Sequence, residues 1–305
     1  MMACIEKIYS VSALVGSKAC NGNCSFCAAK DLKKDAPENN KMPCTFKSAL
    51  KLSARYGGWS LSLTSSGEPT CSPEAVTNAL KDYQEVAQEG AYFPNVNLFT
   101  NGILFGNDEF CKKYLPAWKK LGLTAVAVSI HELTEKGQAK IYGLKEYPRF
   151  TKIFNNIRKY DLQGRATVLL RKGGIDNPST YQASIEMLRN AGVENITSWP
   201  IGNPDNSRNE YTPSRWNLLK IRLWLRKNAK KQRIPYFWLK ILLQNSGKTP
   251  SFSGDLLNYS RKRSFLRNPA KFFCQLISLT RKSLFLNEIY WFIHIKWNSA
   301  NRIET

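Results

Sequence analysis

Three cysteines, Cys20, Cys24 and Cys27, stand at C-x3-C-x2-C spacing with Asn21, Gly22 and Asn23 between the first two. Turn-forming residues between thiols let a short loop fold inward, so that three sulfurs can meet one metal centre. Thiolates are soft ligands that select zinc, copper(I) or iron–sulfur clusters. Three ligands leave a fourth coordination position open, the mark of a centre that does chemistry rather than one that staples a fold. Structural zinc sites pair two C-x2–4-C units or a Cys pair with a His pair, and bacterial ferredoxins use C-x2-C-x2-C with another Cys close behind. Neither pattern is completed here. The next thiol is Cys44, and His131 and His294 lie far apart. A zinc-binding, nucleic-acid-associated protein using Cys20, Cys24, Cys27 and Cys44 is the alternative these residues leave open.

The elements that must position this loop alternate. Ile5 to Val15 reads as a strand leading into the cysteines, and Phe46 to Tyr56 as a helix stopped by Gly57-Gly58. Strands follow at 59–64, 95–99, 124–130, 165–170 and 195–199. Helical patterns run between them, from Pro73 to Gln88, Asp108 to Leu121, up to Tyr160, and Pro178 to Asn190. Six strands with crossovers of this length predict repeated right-handed βα units round a parallel sheet. An open doubly wound sheet and a partial barrel both satisfy the pattern, and both carry their sites at the carboxyl ends of strands. The cysteine loop follows the first strand, so it belongs at that end in either fold.

Charge divides the chain. Residues 1–205 hold 25 Lys+Arg against 19 Asp+Glu, whereas 206–305 hold 20 against 4, a net of +16 in the last third. The reading is a core domain over 1–205 and a basic, mainly helical extension over 206–305. The amino-terminal residues carry neither a basic start nor an apolar run, and eight cysteines suit a reducing compartment, so the expectation is a cytoplasmic protein with reduced thiols.

The C-x3-C-x2-C loop, with Phe26 just before its last cysteine, resembles that of the radical S-adenosylmethionine (radical SAM) superfamily. Later strand ends extend the likeness. Ser66-Gly67-Glu68-Pro69 is similar to the family's Gly-Gly-Glu-Pro element, with Ser66 in place of the first Gly. Thr100-Asn101-Gly102 is similar to its Thr-Asn-Gly tripeptide. Val128-Ser129-Ile130, the Gly-Asn-Asp-like stretch after Leu170 and Trp199-Pro200-Ile201-Gly202 fall in the expected order. The likeness spans about residues 5–205 and implies a partial (β/α)6 TIM-like barrel.

It implies further that Cys20, Cys24 and Cys27 hold a single [4Fe–4S] cluster whose fourth iron chelates SAM. Phe26 then packs at the adenine side, Gly67 and Glu68 meet the methionyl amino group, and Ser129 contacts SAM. In the family a reduced cluster passes one electron into SAM, and the resulting 5′-deoxyadenosyl radical takes hydrogen from substrate. A one-electron donor such as flavodoxin or ferredoxin is therefore an expected partner. Arg171, at a strand end, can bind a carboxylate of SAM or substrate. His131 is a candidate acid or base near neutral pH, Thr100 lies where substrate would enter, and Cys71 is a candidate reactive thiol. The remaining cysteines, Cys4, Cys44, Cys111 and Cys274, read as small apolar fillers.

In the extension, Trp216, Trp224 and Trp238 interleave with Arg222, Arg226, Lys227, Lys230, Lys231 and Arg233. Basic residues among aromatics suit phosphate contact and base stacking on RNA, or an anionic membrane surface. Residues 284–297 are too short and too interrupted by charge to span a bilayer. A covering role over the open side of the barrel is the third reading, and a poorly specified segment that hardly folds, suggested by its scarcity of acids, is the fourth.

Overall fold

The computed structural model describes residues 8, 10–27, 30, 42–203, 207–231 and 293–296; Cys4, Cys274, Trp238 and most of the extension lie outside them. Strands β1 (Ser10–Leu14), β2 (Ser60–Thr64), β3 (Asn95–Thr100), β4 (Ala125–Ile130), β5 (Gln163–Leu170) and β6 (Asn195–Pro200) pair in parallel, each beside its sequence neighbour. A short β7 (Ile293–Lys296) pairs antiparallel with β6. A doubly wound sheet reverses its strand order at a switch point. This order never reverses, so strand order decides what periodicity left open, in favour of a partial barrel.

Alternation along each strand explains the curl. Leu61, Leu63, Val96, Leu98, Val126, Val128, Ala166, Val168 and Ile196 join one buried cluster with the helices. Successive side chains point to opposite faces. The other face of the same strands is therefore Ser60, Ser62, Asn95, Asn97, Ser129, Arg165, Thr167 and Asn195, a polar barrel interior. The helices α1 (Phe46–Arg55), α2 (Pro73–Gln88), α3 (Asp108–Lys120), α4 (Glu135–Tyr142), α5 (Phe150–Lys159) and α6 (Pro178–Asn190) cover the apolar side.

Local chemistry sets the helix ends. Pro73 and Pro178 occupy the first turns of α2 and α6, where a missing N–H costs nothing. Asn107 caps α3 through Phe110 N–H, and Asn177 with Thr180 forms a capping box on α6. The single helical stretch expected before Tyr160 is two helices. Gly143, at φ 67°, ends α4 in the left-handed region, and Pro148 follows before α5 begins.

The last described helix, α7 (Arg215–Lys231), turns Ile221 and Leu225 into the core cluster and sets Trp224 edge-on to Tyr181 of α6 at 6.0 Å. Its other face exposes Trp216, Leu219 and Leu223. The basic extension thus begins with a helix packed onto the barrel's outer layer. Ile221→Ala and Leu225→Ala are each expected to lower unfolding free energy by about 2–5 kcal/mol. Leu223→Ala, on the exposed face, is expected to stay within roughly 0.5 kcal/mol, all three measured by denaturant titration.

Candidate active site

At the carboxyl ends of the strands, three neighbouring segments pin the cysteine loop. From the turn after β2, Glu68 N–H donates to the Ala19 carbonyl at 2.8 Å, and Ser65 Oγ donates to the Ser17 carbonyl at 3.1 Å. Gly67 lies so close that a Cβ would run into the Ala19 carbonyl oxygen and stand 2.7 Å from that of Lys18. From the end of β3, Asn101 Nδ2 donates to Asn21 Oδ1 at 2.6 Å. From the end of α4, the Tyr142 carbonyl accepts Asn23 N–H at 2.9 Å, and the Tyr142 ring lies where any Cβ on Gly22 would fall. The pins fall at residues 19, 21 and 23, so Cys20 and Cys24 follow them directly.

The three thiols are placed unequally. Cys20 is exposed, while Cys24 and Cys27 are half-buried. Burial pushes the Cys24 thiol up to about 12, and the nearby Cys27 and Cys20 add to it, because three negative sulfurs repel one another. Among the described residues no three His, Cys, Asp or Glu side chains converge as they would on a single metal ion. A cubane asks each thiolate for a different iron, so its ligands stand further apart than those of one ion. A soft, thiolate-only set with mutual repulsion, in a loop already pinned, fits such a cationic centre.

Glu68 organises the neighbouring strand ends. Its side chain is 3% exposed. Oε1 accepts from Thr70 N–H at 3.1 Å, the Thr70 hydroxyl at 2.7 Å and the Thr100 hydroxyl at 2.6 Å, while Oε2 accepts Asn101 N–H at 2.7 Å. Burial raises its pKa, and these donors oppose the rise. A carboxylate offers about four acceptor positions, two on each oxygen. Oε2, with one described donor, retains capacity for a cation.

Thr100 joins this network. Its hydroxyl donates to Glu68 and accepts Gly102 N–H at 3.1 Å, and the side chain is buried, so at the position expected for substrate entry it also clips β3 to Glu68. Gly102, at φ 81°, stands where a Cβ would be 2.6 Å from Val128 Cγ1, which accounts for the last residue of the tripeptide. Arg171 also has its carboxylate within the chain: its guanidinium pairs with Glu132 across the ends of β4 and β5. Its Nε is buried with no hydrogen-bond partner, so the guanidinium keeps a donor beyond its pair with Glu132.

His131 packs between Phe26 and Tyr142, at centroid distances of 5.2 and 5.4 Å. Burial, then the positive Arg171, pushes its pKa down to about 3. Its charged form is thus disfavoured, and its Nδ1 is buried with no hydrogen-bond partner. Phe26 itself lies between His131 and Tyr211, whose ring is 5.4 Å away. Ser129 is half-buried on the inward face of β4, and its carbonyl accepts from Gln138 Nε2 at 2.8 Å. Cys71 is half-buried at the rim; burial and then Glu68 raise its thiol, while Asn21 N–H lowers it. Cys111 is buried against Phe105, as a filler should be.

Comparison with known proteins settles the class. Residues 14–210 match the Radical SAM superfamily. The chain belongs to the radical SAM superfamily. Similar solved structures include native anSMEcpe with bound AdoMet, at 16% identity and TM-score 0.54, covering 79% of this chain and 68% of that one. Another is native anSMEcpe with bound AdoMet and Kp18Cys peptide, at 14% identity and TM-score 0.51, with the same coverages. A radical SAM methyltransferase from Sphaerobacter thermophilus shows 17% identity and TM-score 0.49, over 71% of this chain and 63% of that one. No curated protein matches the sequence.

Radical SAM enzymes use a [4Fe–4S] cluster and SAM, and they need an electron donor. This is therefore an enzyme of that class, and the family's metal centre displaces the zinc alternative. No described helix is long and apolar enough to cross a membrane. Three supporting residues escaped the sequence reading: Asn21, Tyr142 and Gln138, whose Oε1 accepts both His131 and Glu132 N–H. Of these, only Asn21 carried a signal, through its place inside the cysteine motif.

Two outcomes test this geometry. Glu68→Gln puts an amide N–H₂ against donors and is expected to lower unfolding free energy by about 1–3 kcal/mol. For His131, the unfolded chain binds a proton below about pH 6.5 while the folded chain does not until about 3. Stability is thus lost as pH falls through that window. Relative to wild type, His131→Phe should gain up to about 1.4 kcal/mol per pH unit on acidification, measured by guanidinium unfolding from pH 7 to 4.

Proposed function

We propose that Cys20, Cys24 and Cys27 hold the cluster and that Phe26, Gly67, Glu68 and Ser129 border the SAM pocket of a radical SAM enzyme acting on a substrate in the barrel. The observation that carries this is the pinned loop, whose three thiols are presented at the strand ends beside a buried carboxylate with spare acceptor capacity. When bound, the cluster supplies the electron that cleaves SAM to methionine and a 5′-deoxyadenosyl radical.

The protein's own part is to bind, orient and exclude. Oε2 of Glu68 is available to the methionyl ammonium, a charge-assisted bond worth more than a neutral one in a buried setting. Gly67 keeps the β2 turn flush against the cysteine loop. Phe26, flanked by His131 and Tyr211, offers an apolar wall to adenine. Ser129 faces the interior next to Thr167 of β5. The exposed Cys20 edge is where an electron enters, from a donor of the flavodoxin or ferredoxin type. We divide the chain into a core over 1–205 and a basic extension over 206–305, and we place it in a reducing cytoplasm.

A second reading makes RNA the substrate-bearing partner. It is favoured by the net +16 of residues 206–305 and by Trp216, 61% exposed with the Lys220 ammonium 5.5 Å from its ring centre. Retention on RNA that weakens steeply with salt and disappears on removal of 232–305 supports it, whereas equal retention on anionic vesicles points to a membrane surface.

Anaerobic reconstitution with iron and sulfide tests the first reading. Wild type and Cys44→Ala should take up about four irons, turn brown and release 5′-deoxyadenosine from SAM on reduction. Cys24→Ala should do none of these. Iron uptake by Cys24→Ala equal to wild type would move the centre elsewhere.

A further inference from the structure

On the inward face of β5, toward the strand's amino end, the half-buried Arg165 is held by three neutral oxygens. Its Nε donates to Gln163 Oε1 at 2.7 Å, Nη1 to Asn97 Oδ1 at 2.7 Å and Nη2 to Asn95 Oδ1 at 3.0 Å. Asn97 is fixed in turn, its Nδ2 donating to Ser60 Oγ at 2.9 Å. Among the described residues no carboxylate pairs with this guanidinium, and burial alone lowers its pKa to about 10. A desolvated cation normally takes a partner, because burying an uncompensated charge is costly. Five N–H donors belong to a guanidinium, so two remain, one on each Nη.

A second unmet donor lies alongside. Asn195 is the register partner of Arg165 across β5 and β6 and shares its inward face, since Ile196 and Ala166 turn outward into the core cluster. It is 3% exposed, and its Nδ2 has no hydrogen-bond partner. A buried amide N–H₂ left unmet costs about 1–3 kcal/mol. A plug built only to close the barrel would gain by filling that position with an apolar residue. Two adjacent groups, a buried amide and a half-buried guanidinium, each with donor capacity left and one of them charged, describe a receptor for oxygen anions.

We propose that Arg165 and Asn195 form the floor of the substrate site and bind a carboxylate or phosphate of a small anionic substrate. This rests on the reading of the strand carboxyl ends as the SAM pocket and adds to it the class of molecule that enters below. Arg165 stands four residues before Leu169, the last inward position of β5, which is roughly 13 Å of strand. A substrate anchored at the floor therefore presents to the mouth an atom several bonds from its anion. Ala125 and Ala127, the register partners of Gln163 and Arg165 on β4, present only methyl groups to the interior. A polynucleotide held outside by α7 would leave this floor unused.

The test is read on full-length protein without SAM or reductant, so its failure and failure of the cluster reading are separate results. Thermal unfolding is followed while sodium phosphate or acetate replaces chloride at constant ionic strength. Saturable stabilisation by at least one anion is expected, with phosphate and acetate separating the two sources. Asn195→Asp, nearly isosteric, places a negative charge against the anion and should weaken the apparent affinity by about ten-fold or more. Arg165→Lys keeps the charge but loses the fork and should weaken it as well. The basic extension binds anions equally in all three proteins, so the difference between wild type and variant is the readout. If Arg165→Lys does not fold, Asn195→Asp decides alone. No saturable stabilisation of wild type, or the same stabilisation in Asn195→Asp, overturns the proposal.

Discussion

A buried carboxylate that receives four hydrogen bonds from two strand ends is the constraint on which the candidate site depends. Glu68 gathers Thr70, Thr100 and the backbone of Asn101 into one network, while its own N–H holds the Ala19 carbonyl. Its desolvation is offset by donors that have no better partner, and those donors are fixed in place by serving it. Because the network joins β2, β3 and the cysteine loop, a displacement of any one of them would leave a buried charge or a buried donor unmet. The loop's position is thus tied to the stability of the sheet rather than to its own short sequence.

Much of this was legible in the chain. The βα alternation was readable because the strands' outward residues, such as Leu61, Leu63, Val126, Val128 and Ile130, are mostly apolar. The cysteine spacing, the Gly-Glu-Pro turn and Thr-Asn-Gly each fell at a strand end and turned out to be one contact network. What could not be read was the destination of individual side chains. Thr100 and Arg171 both sit where a ligand group would, yet each is engaged by a carboxylate distant in sequence, Glu68 and Glu132. His131 was ambiguous for the same reason: its pKa depends on Phe26, Tyr142 and Arg171, brought together only by the fold. The Ser66 departure matters little, because the close approach to the loop is made at Gly67.

The two faces of the sheet divide the work. Residues that turn outward supply the apolar area that holds the barrel together, and that face tolerates no polar group without a partner, as with Ser198 against the Tyr181 hydroxyl. Residues that turn inward are nearly free of that duty. Beside apolar residues such as Ala127 and Leu169 they carry Ser, Thr, Asn, Gln and one arginine, groups that contribute little to hydrophobic stability and much to recognition. Hydrophobic periodicity sees only the first face. The second is read by asking of each inward group whether its hydrogen-bonding capacity is spent.

One consequence follows from the placing of the pins at residues 19, 21 and 23. The loop is held from outside mainly by peptide groups and amides: Glu68 N–H on the Ala19 carbonyl, Asn101 Nδ2 on Asn21 and the Tyr142 carbonyl on Asn23 N–H. The course of the loop is therefore set by β2, β3 and α4, so a change in any of those three supports reaches the thiols without touching them.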